Sequence, residues 1–183
     1  MTVDDMNETD KLTSIVARCQ DGSEEAFAEL VDMFSGSCYG YFYRLTGNRQ
    51  VSDDLLSDLF IRLVEKIGTF KHGSFKSWLF RVASNIFYDY LRNKQRQKKL
   101  LEGKAERFDE TSPKVGHEFE MRDELQVALD KLDEDTVDLL MMRYYSGMSF
   151  KELSKHRSEP IGTTLAKVRR ALIKLRKIMR KDE

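Results

Sequence analysis

Proline is nearly missing from this chain of 183 residues, which holds just Pro113 and Pro160. Proline inside a helix removes a hydrogen bond and clashes with the preceding turn, so its scarcity leaves long stretches free to be helical. Cysteine is as rare: Cys19 and Cys38 make neither a disulfide framework nor a metal-ligand pattern. Both are read as reduced thiols that pack like small hydrophobes. No glycine-rich phosphate loop and no nucleophile elbow occurs, so no catalytic residue, metal or cofactor is expected. No signal peptide opens the chain, no apolar run is long enough for a bilayer, and the ending Arg180-Lys-Asp-Glu183 lacks the final Leu of a retention signal. A soluble, cytoplasmic protein without membrane insertion is the expectation. Excess charge is also lacking, since 31 Lys and Arg balance 31 Asp and Glu.

A zero sum argues against a nucleic-acid partner until the charges are located. The first thirty residues and Glu118 to Asp138 are acidic, whereas Arg92 to Lys104 and Ile161 to Lys181 are basic. Binding depends on the field near the phosphates, so this segregation outweighs the sum. Hydrophobic content of 40% supports cores, and 34% charge suits a mostly helical chain.

The apolar spacing is helical throughout, with no strand pattern and no repeat. Residues 1–10 read as an acidic, frayed terminus. Ser23 can cap a helix carrying Phe27, Leu30, Val31 and Phe34, and a second segment runs from Cys38 to Leu45 before the turn signal Thr46-Gly47-Asn48. Ser52, with Asp53 and Asp54 behind it, reads as the cap of a third helix bearing Leu55, Leu56, Leu59, Phe60, Leu63, Val64 and Ile67. Ser74 can cap a fourth, to about Arg92. From Asn93 to His117 few residues can be buried, which predicts a linker, helical at its start. Leu125, Leu129 and Leu132, then Val137, Leu140, Met141 and Tyr144, mark two further helices joined at Asp133-Glu134. The fold class is all-α: a four-helix N-terminal domain and a C-terminal helix-turn-helix domain on a flexible linker. The boundaries are 1–19 for a flexible terminus and helix start, 20–95, a linker at 96–117, and 118–183.

The end of the chain carries the strongest signal. Ser149 and Glu152 form a capping box, Pro160 and Gly162 mark a break and restart, and Ile161 to Lys181 contains many bases and no acid. A short helix followed by a basic one is the sequence form of a helix-turn-helix. Ile161, Leu165, Val168, Leu172, Leu175 and Met179 make an apolar stripe read as facing the core. Lys167, Arg169, Arg170, Lys174, Arg176 and Lys177 fill the rest. A solubilising face normally mixes both signs, so an uncompensated positive one points to an anionic partner, DNA before a membrane or protein.

Two further surfaces stand out. After Ser74, Phe75, Leu79, Val82, Ala83 and Ile86 form a core side, while Lys76, Arg81, Asn85, Tyr88 and Arg92 project elsewhere. Trp78 and Phe87 lie at the border and can equally be core residues. Aromatic faces among bases and an amide suit single-stranded nucleic acid, and Gly73-Ser74 could allow close backbone approach to a flipped base. Asp54, Asp58 and Arg62 share one helix face, a polar rim around an apolar protein-binding surface.

Together these residues resemble the extracytoplasmic-function (ECF) sigma factors of bacterial RNA polymerase. The resemblance rests on Ser52 to Leu63, Phe75 to Asn85, Asp89 to Arg92, Leu140 to Leu153, Pro160 to Thr163, Arg170-Ala171 and Leu175-Arg176, in the family's order and spacing. It implies that Asp54, Leu55, Ser57, Asp58, Phe60 and Ile61 dock on the clamp coiled coil of the largest polymerase subunit. It implies that Lys71, His72, Gly73, Ser74, Lys76, Trp78, Arg81 and Asn85 melt the −10 element and capture a flipped base. Thr163, Thr164, Lys167, Arg169, Arg170 and Lys174 would read the −35 element, with the polymerase flap and an anti-sigma factor as further partners. The turn His156-Arg157-Ser158-Glu159 departs from the family's small or apolar residues, which predicts a more open turn. Leu165 either meets a thymine methyl or belongs to the core. An autonomous helix-turn-helix regulator independent of polymerase is the alternative function, and a helical adaptor a third.

Overall fold

The computed structural model describes residues 3–102 and 124–180. Those residues form eight α-helices, one 3-10 turn and no strand. The first four are α1 (Val3–Gln20), α2 (Glu24–Thr46), α3 (Arg49–Lys66) and α4 (Phe75–Glu102), with the 3-10 turn Ile67–Thr69 between α3 and α4. Then come α5 (Glu124–Leu129), α6 (Glu134–Tyr145), α7 (Phe150–His156) and α8 (Ile161–Met179).

The N-terminal half does contain four helices, but not the four that were expected. Residues 3–10, expected to be frayed, are the first part of α1, in which Ile15, Val16 and Cys19 are buried with Leu12 packed beside them. That spacing is an amphipathic stripe. The expected break between Phe34 and Cys38 does not occur. α2 runs through Gly36 and Gly40 as one helix of 23 residues, because Leu30, Phe34, Cys38, Tyr41 and Phe42 continue a single buried face. Burying each such leucine or aromatic contributes roughly 1.5–3 kcal/mol, more than the roughly 1 kcal/mol a mid-helix glycine costs.

Caps set the remaining boundaries. Ser23 accepts from the Ala26 N–H at 3.2 Å, and Gly47, at φ 60°, ends α2 with its N–H on the Tyr43 carbonyl. The cap of α3 is Asn48, whose Oδ1 accepts from the Val51 N–H at 2.9 Å, one turn before the expected Ser52. Ser52 is instead fully buried, donating to the Asn48 carbonyl at 2.6 Å. Ser74 caps α4 as read, through the Ser77 N–H at 3.1 Å. α4 extends to Glu102, so the first part of the expected linker is helical; the rest, residues 103–117, lies outside the described residues.

In the C-terminal half Asp133 caps α6 at 2.8 Å, and both arms of the Ser149–Glu152 capping box close. Leu129, Leu132, Val137, Leu140 and Met141 are buried as expected, but Tyr144 is 61% exposed and its neighbour Tyr145 turns inward. The stripe on α8 is rotated as well. Thr164, Val168 and Ala171 are buried, whereas Ile161, Leu165, Leu172 and Met179 are exposed.

The two halves are packed together on one continuous apolar core. α2 and α4 pack on α6, with Tyr41 edge-on to Tyr145 at 6.3 Å. No helix of the described residues is long and apolar enough to cross a membrane.

Candidate nucleic-acid interface

The loop before α4 is presented by a rigid aromatic base. Phe70, Phe75 and Trp78 pack mutually, edge-on or tilted, at centroid distances of 5.4–5.7 Å, and Phe34 of α2 joins them at 5.7 Å from Phe75. From α1 the Gln20 amide donates to the carbonyls of Ile67 and Phe70 at 2.9 and 2.7 Å, fixing the backbone that enters the loop. Lys71, His72, Gly73 and Ser74 are exposed beyond this anchor, and Gly73 has φ 98°. A non-glycine residue is strained at that angle. The loop borders an open cleft of about 1000 Å³ that reaches Gln20, Phe34 and Ser37.

Along α4 the expected residues divide. Arg81 and Asn85 are exposed, Lys76 and Trp78 are half-buried, and Phe87 is core at 1% exposure. Trp78 therefore serves the aromatic base and keeps part of its surface open. Arg81 and Asn85 do not face open solvent on all sides. Asn85 shares a cleft of about 400 Å³ with His156 and with Lys167 of α8.

On α3, Asp54, Ser57, Asp58 and Ile61 lie on one exposed face, with Val64 continuing it; Ile61 and Val64 are each 60% exposed. Phe60 is half-buried, and Leu55, at 4%, is a core residue beneath that face. Arg62 leaves its expected acidic neighbours and pairs with Asp89 of α4 at 3.4 Å. Arg92 also pairs with Asp89, and it is the main reason that carboxyl sits below its ordinary range.

In the helix-turn-helix, Thr163, Arg169, Arg170 and Lys174 are exposed along α8. Thr164 is fully buried, and its hydroxyl donates to Glu159 at 2.9 Å. Lys167 pairs with the other Glu159 oxygen at 2.5 Å. Thr164 is thus buried within the helix-turn-helix, where its hydroxyl helps to hold the turn. Leu165, 43% exposed, is not a core residue; it lines an outer groove with Phe150, Leu172 and Ile173.

The turn itself is tight where an open one was expected. Arg157, its side chain 11% exposed, pairs with Asp135, with Asp138 at 3.4 Å and with Glu159 at 3.8 Å. Ser158 takes the left-handed φ of 52° that lets the Glu159 N–H reach the Ser154 carbonyl at 3.0 Å. A long cation threaded back onto α6 closes what a small residue would close by contact.

Residues 30–97 match the family model for sigma-70 region 2. The chain is 30% identical over 141 residues to the ECF RNA polymerase sigma factor EcfG of Rhodopseudomonas palustris, an alignment covering 75% of this chain and 76% of that protein. This chain belongs to the ECF sigma factors. The ECF sigma factor SigE of Mycolicibacterium smegmatis is 28% identical over 159 residues, covering 84% of this chain but 61% of that longer relative. Among solved structures, the sigma factor RpoE of Bartonella quintana, in complex with the anti-sigma factor NepR, superposes with a TM-score of 0.67 at 23% identity. That match covers 86% of this chain and 98% of RpoE, and it is a likeness of fold. The matched region 2 takes in most of α2 and all of α3, the loop and the body of α4 of this sigma factor.

Sequence reasoning missed Gln20, Val64 and Tyr145. Gln20 and Tyr145 act through long-range contacts with no local pattern. Val64 was read only as one of the apolar residues of its helix, although its i+3 spacing from Ile61 could have placed both on the outer face.

Proposed function

We propose that this sigma factor binds bacterial RNA polymerase core and directs it to promoters through two grips on DNA. The working units are residues 20–95 and 118–183, joined by the segment between them. Asp54, Ser57, Asp58, Phe60 and Ile61, braced from beneath by Leu55, meet the clamp coiled coil of the largest subunit, while the C-terminal unit meets the flap. An apolar patch ringed by carboxylates suits a basic helical partner, because the charges orient the encounter and the apolar contact holds it.

The loop Lys71–Ser74 with Lys76, Trp78, Arg81 and Asn85 captures the −10 strand. The cations neutralise phosphates, the indole offers a stacking face, and Asn85 offers an amide to a base edge. Thr163, Arg169, Arg170 and Lys174 of α8 meet the −35 duplex, joined by Lys167 once it leaves Glu159, and Leu165 offers an apolar contact to a thymine methyl. Phosphodiester chemistry stays with the polymerase, in the cytoplasm where it works. An inhibitor of the anti-sigma kind is a further expected partner, since RpoE of Bartonella quintana is held by one.

Membership of the ECF sigma factors carries the reading. An autonomous regulator would leave the exposed face of α3 and the region 2 match without a purpose. The test is co-purification with core polymerase of the wild type and of Ile61→Asp. The wild type should form a stoichiometric complex and the variant should lose at least tenfold in affinity; equal retention of both would sink the α3 assignment.

A further inference from the structure

The loop that leads into α4 is held at its entry by a residue from outside the matched region. Gln20 ends α1, ahead of residue 30, where the region 2 match begins. Its Nε2 donates to the Ile67 carbonyl at 2.9 Å and to the Phe70 carbonyl at 2.7 Å, 47 and 50 residues away in sequence. A primary amide carries two N–H groups on one nitrogen, so one side chain can serve both acceptors. The two carbonyls belong to the first residue of the 3-10 turn and to the residue that follows it, and the Phe70 N–H closes that turn on Ile67 at 3.1 Å. Gln20 therefore spans the turn from end to end.

Both sides of this contact are anchored. Cys19, beside Gln20, is buried, and the carbonyls of Ala17, Arg18 and Cys19 accept from the N–H groups of Asp21, Ser23 and Gly22 respectively to close the end of α1. Across the contact Ile67 is buried and the Phe70 ring lies 5.7 Å from that of Trp78. After Phe70 the chain runs exposed through Lys71, His72, Gly73 and Ser74 before the Ser74 cap starts α4. A loop with so little of its own to bury takes its order from its two ends.

We propose that Gln20 is a positioning residue for strand capture: from α1 it braces the 3-10 turn and so presets the Lys71–Ser74 loop and the Trp78 face for the −10 strand. What the brace serves rests on the reading of that loop as the −10 grip; the brace itself does not. A loop already ordered in the free chain loses less entropy when a strand binds, which raises affinity without a new contact.

Wild type, Gln20→Met and Gln20→Lys, all full length, test this. Methionine keeps the reach of the side chain and donates nothing, whereas lysine donates but carries charge, so Gln20→Lys is read only in the free chain. Circular dichroism confirms that each is folded. Acrylamide quenching of Trp78, the one tryptophan, reads the order of the aromatic base. With bacterial core polymerase added, titrations read the affinity for polymerase and then for a labelled single strand spanning the −10 segment of a promoter mapped from cells that overexpress the chain. Gln20→Met should be quenched more strongly than the wild type, bind polymerase equally and bind the strand about fivefold more weakly. Gln20→Lys should be quenched as the wild type is. Wild-type quenching in Gln20→Met, or stronger quenching in both variants, would overturn the brace. Stronger quenching with undiminished strand affinity, or with a matching loss of polymerase affinity, would overturn its part in strand capture. A wild-type holoenzyme that binds no strand, with Gln20→Met still the more strongly quenched, would support the brace and refute the −10 reading of the loop instead.

Discussion

Replacing Arg157 by methionine isolates what holds the helix-turn-helix shut. The side chain keeps its bulk, but Asp138, 1% exposed, loses its cation and Asp135 loses a partner. Breaking a buried ion pair by removing one member costs about 3–5 kcal/mol. Here the contact with Asp138 is long, 3.4 Å, and three hydroxyls still satisfy that carboxylate. The expected loss is therefore about 2–3 kcal/mol, a large share of the 5–15 kcal/mol that holds a typical domain. In melting temperature that is about 5–10 °C for a chain of this size. The loss should also depend on pH. Burial pushes the Asp138 carboxyl above its ordinary value of 3.8, and Arg157 is one of the groups pulling it back. Without Arg157 it rises further. A carboxyl raised in the native state contributes stability that is complete below 3.8 and is lost as pH climbs through the native value. The deficit of Arg157→Met should thus be full at pH 8 and shrink as pH falls toward 4. Urea unfolding followed by circular dichroism and by Trp78, the one tryptophan, measures it at each pH. A deficit below about 1 kcal/mol, or one that grows on acidification, would refute the reasoning.

Four other outcomes follow from the local chemistry. Ser149→Ala should cost about 1 kcal/mol by opening the capping box of α7; the Ser149 N–H that chiefly holds Glu152 below its ordinary 4.5 stays in the variant, so only the share carried by the lost Ser149 hydroxyl should narrow the difference below that pH in urea titrations. Thr164→Val should cost about 1–2 kcal/mol through the lost bond to Glu159, whereas Arg170→Ala should leave stability within about 0.5 kcal/mol but weaken duplex binding and lower its salt slope by about one. The Cys38 thiol, pushed up to about 12 by burial, should resist a thiol reagent at pH 8 until urea unfolds the chain; fast native labelling would contradict its placement.

Much of the fold was legible because its signals are local. Ser23, Ser74 and the Ser149–Glu152 box act within one turn, and each boundary they announced is where the helix begins. Asn48 was missed because Ser52 offered the same chemistry one turn later, and a cap is told from a buried hydroxyl only by what packs on it. α1 was discounted for its acids, although Leu12, Ile15, Val16 and Cys19 had the spacing. On α8 the apolar residues outnumber those one face can bury, so the sequence could not say that Thr164 turns inward while Leu165 stays out. The contacts of Tyr41 with Asp138 and of Gly40 with Tyr145 join positions about a hundred residues apart. No local pattern encodes them, and with them went the packing of the two halves.

The most direct test of the central claim is run-off transcription with purified core polymerase on promoters mapped from cells that overexpress this chain. Core with the chain should start at defined sites on those templates, and core alone should not. Initiation at the same sites without the chain, or none with it, would contradict the account.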